Sequence, residues 1–475
     1  MTSRATQRLL CVSAATLLYF GAASTWAQAA TFSIADGDVV GLITAIQAAN
    51  AGGGSNIINL ATNGTYVLTA VAENAPDYGG PGPAGLPYVR SQITINGNGA
   101  TIQRSNAPGT PSFVILAVSG WSPSGDFSVN ANLTLNRVTL TGGYGSVGGL
   151  ALTESTALIQ NSTITQNTGT NPYANAGGIF NFSGYLTIVN STISYNTNDS
   201  GYGGAGILQF GCCGTSISFS TIFENQNVFG RGDSISNAFG APESLVAKNS
   251  ILANPTTQGP GRVACYGTAP VSEGHNIAGD ASCAFVGIGD MNSTDPLLGP
   301  TVNNGGPTPT DLPAVNSPAI DAVPLAYCTD VFGVPVTTDQ RGVSRARGPA
   351  CDVGSVEVGP LYHVCLLYDP IRAVQSGATY PVKLQLCDGV GNDLSSSTIT
   401  AHATSITQVS TSISGLAQDS GNANPDNDFR FSSTLGSTGG YIFNLSSKGL
   451  STGAYRLNFT VTGDWFVYAA PFQVK

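Results

Sequence analysis

The sequence predicts an all-β protein in two parts, a solenoid of stacked coils followed by a domain of short alternating strands. Three observations carry this. Charged residues are only 9% of the 475 while hydrophobic residues are 41%, a balance too apolar for disorder and far below the ~25% charge of ordinary globular chains. The phrase NSTITQN at 161–167 returns as NSTISYN at 190–196, with echoes in SFSTIFEN and KNSILAN. Beyond residue 361, short apolar–polar alternations are separated by Gly, Asn and Ser turns.

The first element is a leader. Arg4 and Arg8 precede the apolar run LLCVSAATLLYFGAA, and Ala27–Gln28–Ala29 is a small-x-small cleavage site. A secretory signal peptide over residues 1–29 is expected. The run is too short to span a bilayer, and PFQVK at the C-terminus has neither an apolar tail nor a basic cluster. The expected mature chain is therefore exported, to the cell surface or beyond, without a transmembrane anchor. Losing Arg4 and Arg8 leaves 15 basic residues against 27 acids, a formal −12. Nucleic acid and anionic membrane surfaces are poor partners for a chain of that charge.

The capping element comes next. In GLITAIQAAN (41–50), Leu42, Ala45, Ile46 and Ala49 share a helical face. That face suits a short helix covering the open first coil, with GGGS as its stop. IINLATNGTYVLT and SQITINGNGATI then read as strands and a further coil.

The coils follow. Ile164, Ile193, Ile222 and Ile251 are spaced by 29 residues, as are Asn167, Asn196, Asn225 and Asn254. Small turns precede them, GGL at 148–150, GGI at 177–179, AGI at 205–207 and DSI at 233–235, at steps of 28 or 29. A fixed period of short strands and turns is a solenoid in which like positions stack. The Ile residues are expected to form an interior ladder. The Asn residues are expected at a bend, their amides bonding neighbouring coils and their backbones left-handed. The N-x-[ST] pattern at Asn190 also matches a glycosylation acceptor, but stacking explains its repetition.

Cysteine usage fits export. Cys11 leaves with the leader, and eight remain. Sequence-local pairs are Cys265 with Cys283, Cys328 with Cys351, and Cys365 with Cys387. Cys212 and Cys213 are adjacent, and can bridge each other or pair elsewhere. Only His275, His363 and His402 are present, none at ligand spacing from a CxxC, so no metal or cofactor is expected.

Several strings resemble a known family. DGDVVGLITAIQAAN, the coils, NNGGPTPTDLPAVNSPAIDA (303–322) and TDQRGVSRARGPACDVGSVE (338–357) resemble the choice-of-anchor Q family of bacterial secreted or surface proteins. The resemblance covers roughly residues 31–358. It implies a right-handed parallel β-helix of the pectin-lyase-like kind. Members often end in a sorting tail, from which this chain departs. Residues 361–475 resemble the PxKF-type domain, a small immunoglobulin-like β-sandwich, with Pro381–Val382–Lys383–Leu384 carrying Leu in place of Phe. The expected organisation is a leader to 29, a β-helix with its cap over 30–300, a closing segment over 301–360 and the sandwich over 361–475.

Fold alone licenses no chemistry. Lyases of this shape need clustered Asp for calcium and an Arg or Lys base; hydrolases need two carboxyls ~5–9.5 Å apart. Coils 133–254 hold only Glu154, Asp199, Glu224, Asp233 and Glu243 as acids and Arg137, Arg231 and Lys248 as bases. Glu224 with Asp233 is the best candidate pair, against the plainer reading of solvated loop acids. Asp280, Asp290 and Asp295 match no calcium loop. Asp321, Asp330, Asp339 and Asp352 belong to the C-terminal motif, where Asp339 and Arg341 are expected to tie the segment down. Arg231–Gly232–Asp233 spells an RGD tripeptide at a turn position. Trp121, Trp465 and Tyr173, Tyr185, Tyr195 and Tyr202 are candidates for stacking on sugars. The reading that fits best is a non-catalytic scaffold or adhesin whose long face contacts glycans or other surfaces. The alternative is a polysaccharide lyase or glycoside hydrolase.

Overall fold

A computed structural model describes residues 29–475 except 75–81, 122–129, 171–174, 200–202, 241–243, 255–261, 346, 389–390, 410–413, 418–423, 437 and 465. The leader, apart from Ala29, and Glu243, Tyr173, Tyr202 and Trp465 lie outside the described residues. No helix among the described residues is long and apolar enough to cross a membrane. The chain divides into two units, residues 1–345 with 349–357, and residues 346–348 with 358–475.

The first unit begins with strand Thr31–Ile34, paired parallel to Ser55–Leu60. Between them lies helix Val39–Gly52, started by Asp38, whose Oδ1 accepts from the Gly41 N–H at 2.8 Å. Its buried residues are Leu42, Ala45, Ile46 and Ala49, the face read from the sequence, and they join the main core.

Coils then stack into a parallel β-helix. One face runs Val271–Ser272, Leu245–Lys248, Gly214–Ser218, Tyr185–Val189, Thr156–Gln160 and Asn132–Thr141. The long strand Asn132–Thr141 bends into a second face with Thr163–Thr165, Thr192–Ser194, Thr221–Phe223, Ile251–Ala253 and Ile277–Ala278. A third face runs Cys265–Gly267, Ile235–Gly240, Ile207–Gly211, Ile179–Phe182, Leu150–Thr153 and Leu116–Ser119. The pairings between successive coils are parallel and nearly in register.

The repeated phrase has a part for each letter. Asn161 and Asn190 take the left-handed bend, at φ 51° and 47°. The Ser hydroxyls at 162, 191 and 220 donate back two residues, and those at 191 and 220 accept the Ser N–H of the coil before. Thr163, Thr192 and Thr221 point outward, and Ile164, Ile193 and Ile222 point inward in one aligned, fully buried row. Asn190 is buried and bonded, its Nδ2 donating to the Thr338 carbonyl at 2.7 Å. A glycan cannot be attached there without dismantling that packing.

Two expectations need correction. Ile251 does not continue the Ile row: it pairs with Thr221, and Leu252 pairs with Ile222. The step between coils is 28 residues at Ile207 and Ile235, 29 at Phe210 and Phe239 beyond a bulge in the third face, and 30 at Thr215 and Leu245. Every later position is displaced by one. Ser250 therefore takes the serine place, bonding the Ser220 N–H at 3.2 Å. The Asn ladder is real over Asn167, Asn196 and Asn225, each fully buried, with Nδ2-to-Oδ1 bonds of 3.0 Å between neighbours. Their backbones are not the left-handed ones; Gln166, Tyr195 and Glu224 just before them are, at φ 52–55°. The displacement puts Asn254 level with Glu224, so it does not extend the ladder, and residue 255 lies outside the described residues.

The segment expected to close the solenoid instead runs back along its flank, over the outward Thr row. Its hairpin Leu298–Val302 with Thr310–Pro313 leads to Gln340, which bonds Thr163, Thr192, Thr308 and the carbonyls of Ser162 and Pro309. Ser355 reaches Thr221. Gly354, at φ +95°, sits so close to Ile251 and Thr221 that a Cβ there would lie 2.8 Å from each.

The second unit is a sandwich of two antiparallel sheets. One runs His363–Leu366, Thr379–Cys387, Gly440–Ser446, Arg430–Ser432; the other Ser414–Leu416, Ala401–Gln408, Gly453–Val461, Val467–Val474. Alternate residues of both, among them Val382, Leu384, Phe443, Leu457, Phe459 and Phe472, fill a core of their own. Disulfide Cys365–Cys387 ties the first strand to the second.

Candidate functional site

A groove of about 590 Å³ lies on the first face of the β-helix, within the usual range for ligand clefts. Stacking builds its floor. Thr134, Leu158 and Thr187 form one cross-coil row, and Gln160 with Val189 belongs to the next. These are the outward residues of strands whose inward neighbours Leu133, Leu135, Ile159 and Ile188 are fully buried. The opposite wall is the loop 330–338. Asp330 holds it in shape by accepting from the N–H groups of Phe332 and Val334 at 2.8 and 2.9 Å. Lys248 anchors it through Thr329 and the Asp330 carbonyl at 2.7 and 3.1 Å, and the Val331 N–H bonds Ser218. Disulfide Cys328–Cys351 fixes its approach. Phe332 and Val334 remain more than half exposed, at 55% and 57%. Tyr185, also exposed, begins the strand that carries Thr187.

The lining is hydroxyl, amide and aliphatic. Asp330 is the one titratable residue in it, and its Oδ1 accepts from two N–H groups of its own loop. Such a surface can hydrogen-bond and pack against a neutral polyhydroxylated chain. It offers no acid–base pair.

The predicted acids lie elsewhere. Asp233 is fully buried, paired with Arg262 at 2.7 and 3.0 Å, and accepts from the Asn227 N–H at 2.6 Å. Burial still pushes its carboxyl up, against Arg262, which pulls it down. The RGD string is thus no exposed recognition tripeptide, and Arg231 lies over the Tyr266 ring. Glu224 stands at a left-handed bend near Tyr195 and Asp311. Asp311 was not singled out from the sequence. It is fully buried, bonded through one oxygen to Thr301, and burial raises it to about 7. Thr301 and Tyr195 line a smaller cavity of about 430 Å³ with Thr101, Thr139, Thr141 and Thr165. No periodic motif marks Asp311, because it lies on the flanking segment rather than in a coil.

Asp280, Asp290, Asp295, Asp339 and Asp352 serve the fold. Asp280 accepts from Ala264 N–H and Asp290 from Asn276 N–H, both at 2.8 Å, and Asp295 from Leu297 N–H at 2.9 Å. Asp339 receives Arg341 Nε at 2.9 Å and the Val343 and Glu357 N–H groups. Asp352 accepts from Asp321 N–H. Arg345, nearly fully buried, donates to Asn190 and Gly354 at 2.8 Å, pairs with Glu357, and lies 4.0 Å over the Phe219 ring. Among the described residues no group of three or more His, Cys, Asp or Glu could hold a metal ion. Cys265 is bonded to Cys283.

Fold and groove together define a parallel β-helix protein with a lateral polar cleft. No protein-family model matches the chain, and no curated protein matches it. Among solved structures the pectate lyase Pel9A is similar, at 14% identity and a TM-score of 0.31, covering 69% of this chain and 96% of that one. A likeness at that level carries no functional weight.

Proposed function

We propose that this is an exported, non-catalytic β-helix scaffold that binds glycans along the groove floored by Thr134, Leu158 and Thr187. The observation that carries the reading is the chemistry of that lining: neutral hydrogen-bonding groups interspersed with Leu158 and Val189, exposed Phe332, and a single carboxylate, Asp330, whose Oδ1 accepts from its own loop. The leader-like N-terminus and three disulfides support an oxidising, extracellular setting. The DQRG and CDVGSVE strings support membership of the choice-of-anchor Q family, and Pro381–Leu384 supports a PxKF-type sandwich. The full chain is to be screened against a polysaccharide panel, reading both retention and the release of reducing ends or unsaturated products. Retention without products is expected; products from a retained polysaccharide would contradict the non-catalytic reading.

One observation favours the hydrolase or lyase alternative. Asp311, whose carboxyl burial raises to about 7, lies near Glu224, and a pair of carboxyls is what acid–base cleavage of a glycosidic bond needs. If cleavage is found, Glu224→Gln and Asp311→Asn are expected to abolish it.

A further inference from the structure

The turn between strands Ile207–Gly211 and Gly214–Ser218 carries Cys212 and Cys213. In the coil before, the matching positions are Phe182 and Tyr185, aligned with Phe210 and Gly214. There the turn holds Ser183 and Gly184; here it holds Gly211, Cys212 and Cys213, one residue more. The additional residue lengthens the turn. Gly211 at φ +83° and Cys213 at φ 71° accommodate it. Cys212 is exposed, Cys213 half-buried, and their Sγ atoms are 3.4 Å apart. The other six cysteines of the described residues are bonded to one another in three disulfides.

We propose that Cys212 and Cys213 form a reversible dithiol–disulfide site that exchanges with small-molecule disulfides of the glutathione type. The Cys212 thiolate attacks one sulfur of the small disulfide and expels the first thiolate, leaving a mixed disulfide on Cys212. The Cys213 thiolate then attacks the Cys212 sulfur and expels the second. Two protein thiols are oxidised to one disulfide, one small disulfide is reduced to two thiols, and the two protons pass to the thiolates released. Reduction is the reverse, with a small thiol as reductant. Exposure singles this site out: Cys265 and Cys283 are buried at 6% and 0%, whereas the attacking reagent reaches Cys212 directly.

The test uses the full chain and peptide mapping, which reads 212 and 213 separately from Cys11. After oxidised glutathione, then alkylation in denaturant, the peptide holding both cysteines is expected unalkylated, without a glutathione adduct, and two hydrogens lighter than its reduced form. Graded reduced glutathione is expected to return two alkylatable thiols there before any at the three long-range disulfides. Cys213→Ser is expected to leave a lasting glutathione adduct on Cys212, because the resolving neighbour is gone. The double change Cys212→Ser with Cys213→Ser is expected to abolish exchange while leaving the circular dichroism melting midpoint in place. Two alkylated thiols after oxidised glutathione, lasting adducts on the unsubstituted chain, or linkage to another cysteine or another chain would overturn the proposal.

Discussion

The β-helix and the sandwich are both built from strands that alternate inward and outward, yet they bury different things. The sandwich core is aromatic and aliphatic, with Tyr441, Phe443, Phe459 and Phe472 among its largest fully enclosed side chains. The β-helix encloses a comparable aliphatic core but also buries Asn167, Asn196, Asn225, Ser162, Ser191, Ser220, Thr163 and Thr192 completely. Burying so many polar atoms is tolerable only where each finds a partner. For the Asn amides and the Ser N–H groups the partner is the same residue one coil away, so repetition of sequence satisfies those hydrogen bonds, while Thr163 and Thr192 find theirs on the flanking segment. In the sandwich, strands from distant parts of the chain must meet, and shape-matched aromatics do that without repetition.

The largest expected effects test the two cores against each other. Phe443→Ala should cost about 3–5 kcal/mol and Ile193→Ala about 2–5 kcal/mol, as large-to-small core changes do. Each should lower a different calorimetric transition if the two cores are separate cooperative units. A common shift in both transitions would break the comparison at its root.

Asp311 gives the β-helix a pH signature. Its folded carboxyl is raised to about 7, above its value of ~4 in an unfolded chain. The stability it contributes is therefore fully present below about pH 4 and is lost as pH rises through about 7, by up to about 4 kcal/mol. Chemical denaturation across that window should show a fall in stability that Asp311→Asn removes. An identical slope in both proteins would remove Asp311 as its cause.

Asn196→Ala should cost about 1–3 kcal/mol, because it strands the bonding groups of Asn167 and Asn225 in the interior. Thr197, half-buried one residue further on, should tolerate Ala within about 0.5 kcal/mol. Long repeat arrays need not unfold in two states, so the order of midpoints is the readout. Thr197→Ala as damaging as Ile193→Ala would refute the stacking register.

What could be read in advance followed what repeats. The inward row of Ile164, Ile193 and Ile222, the amide ladder and the helix face of Leu42, Ala45, Ile46 and Ala49 all announce themselves by spacing. Ile251 misled because a bulge displaces the last coils by one residue, and aligning NSIL letter for letter with NSTI, rather than by step, would have exposed Leu252. The left-handed bends at Gln166, Tyr195 and Glu224 carry three different side chains, so no letter marks them. The return of residues 298–357 along the flank was hidden because Gln340 and Ser355 meet the Thr row through contacts 134–177 residues apart. The groove was illegible for the same reason: its floor and wall come from distant stretches, and its useful residues are ordinary Thr, Leu and Gln.

The most direct measurement of the groove assignment is the affinity of a retained polysaccharide for the native chain and for Thr187→Arg. Thr187 is a half-buried, outward residue at one end of the floor's row. Arginine there fills the groove without touching the interior rows. The account predicts a loss of at least about tenfold, equivalent to about 1.4 kcal/mol, with an unchanged melting midpoint. Unchanged affinity for Thr187→Arg at an unchanged midpoint would contradict it.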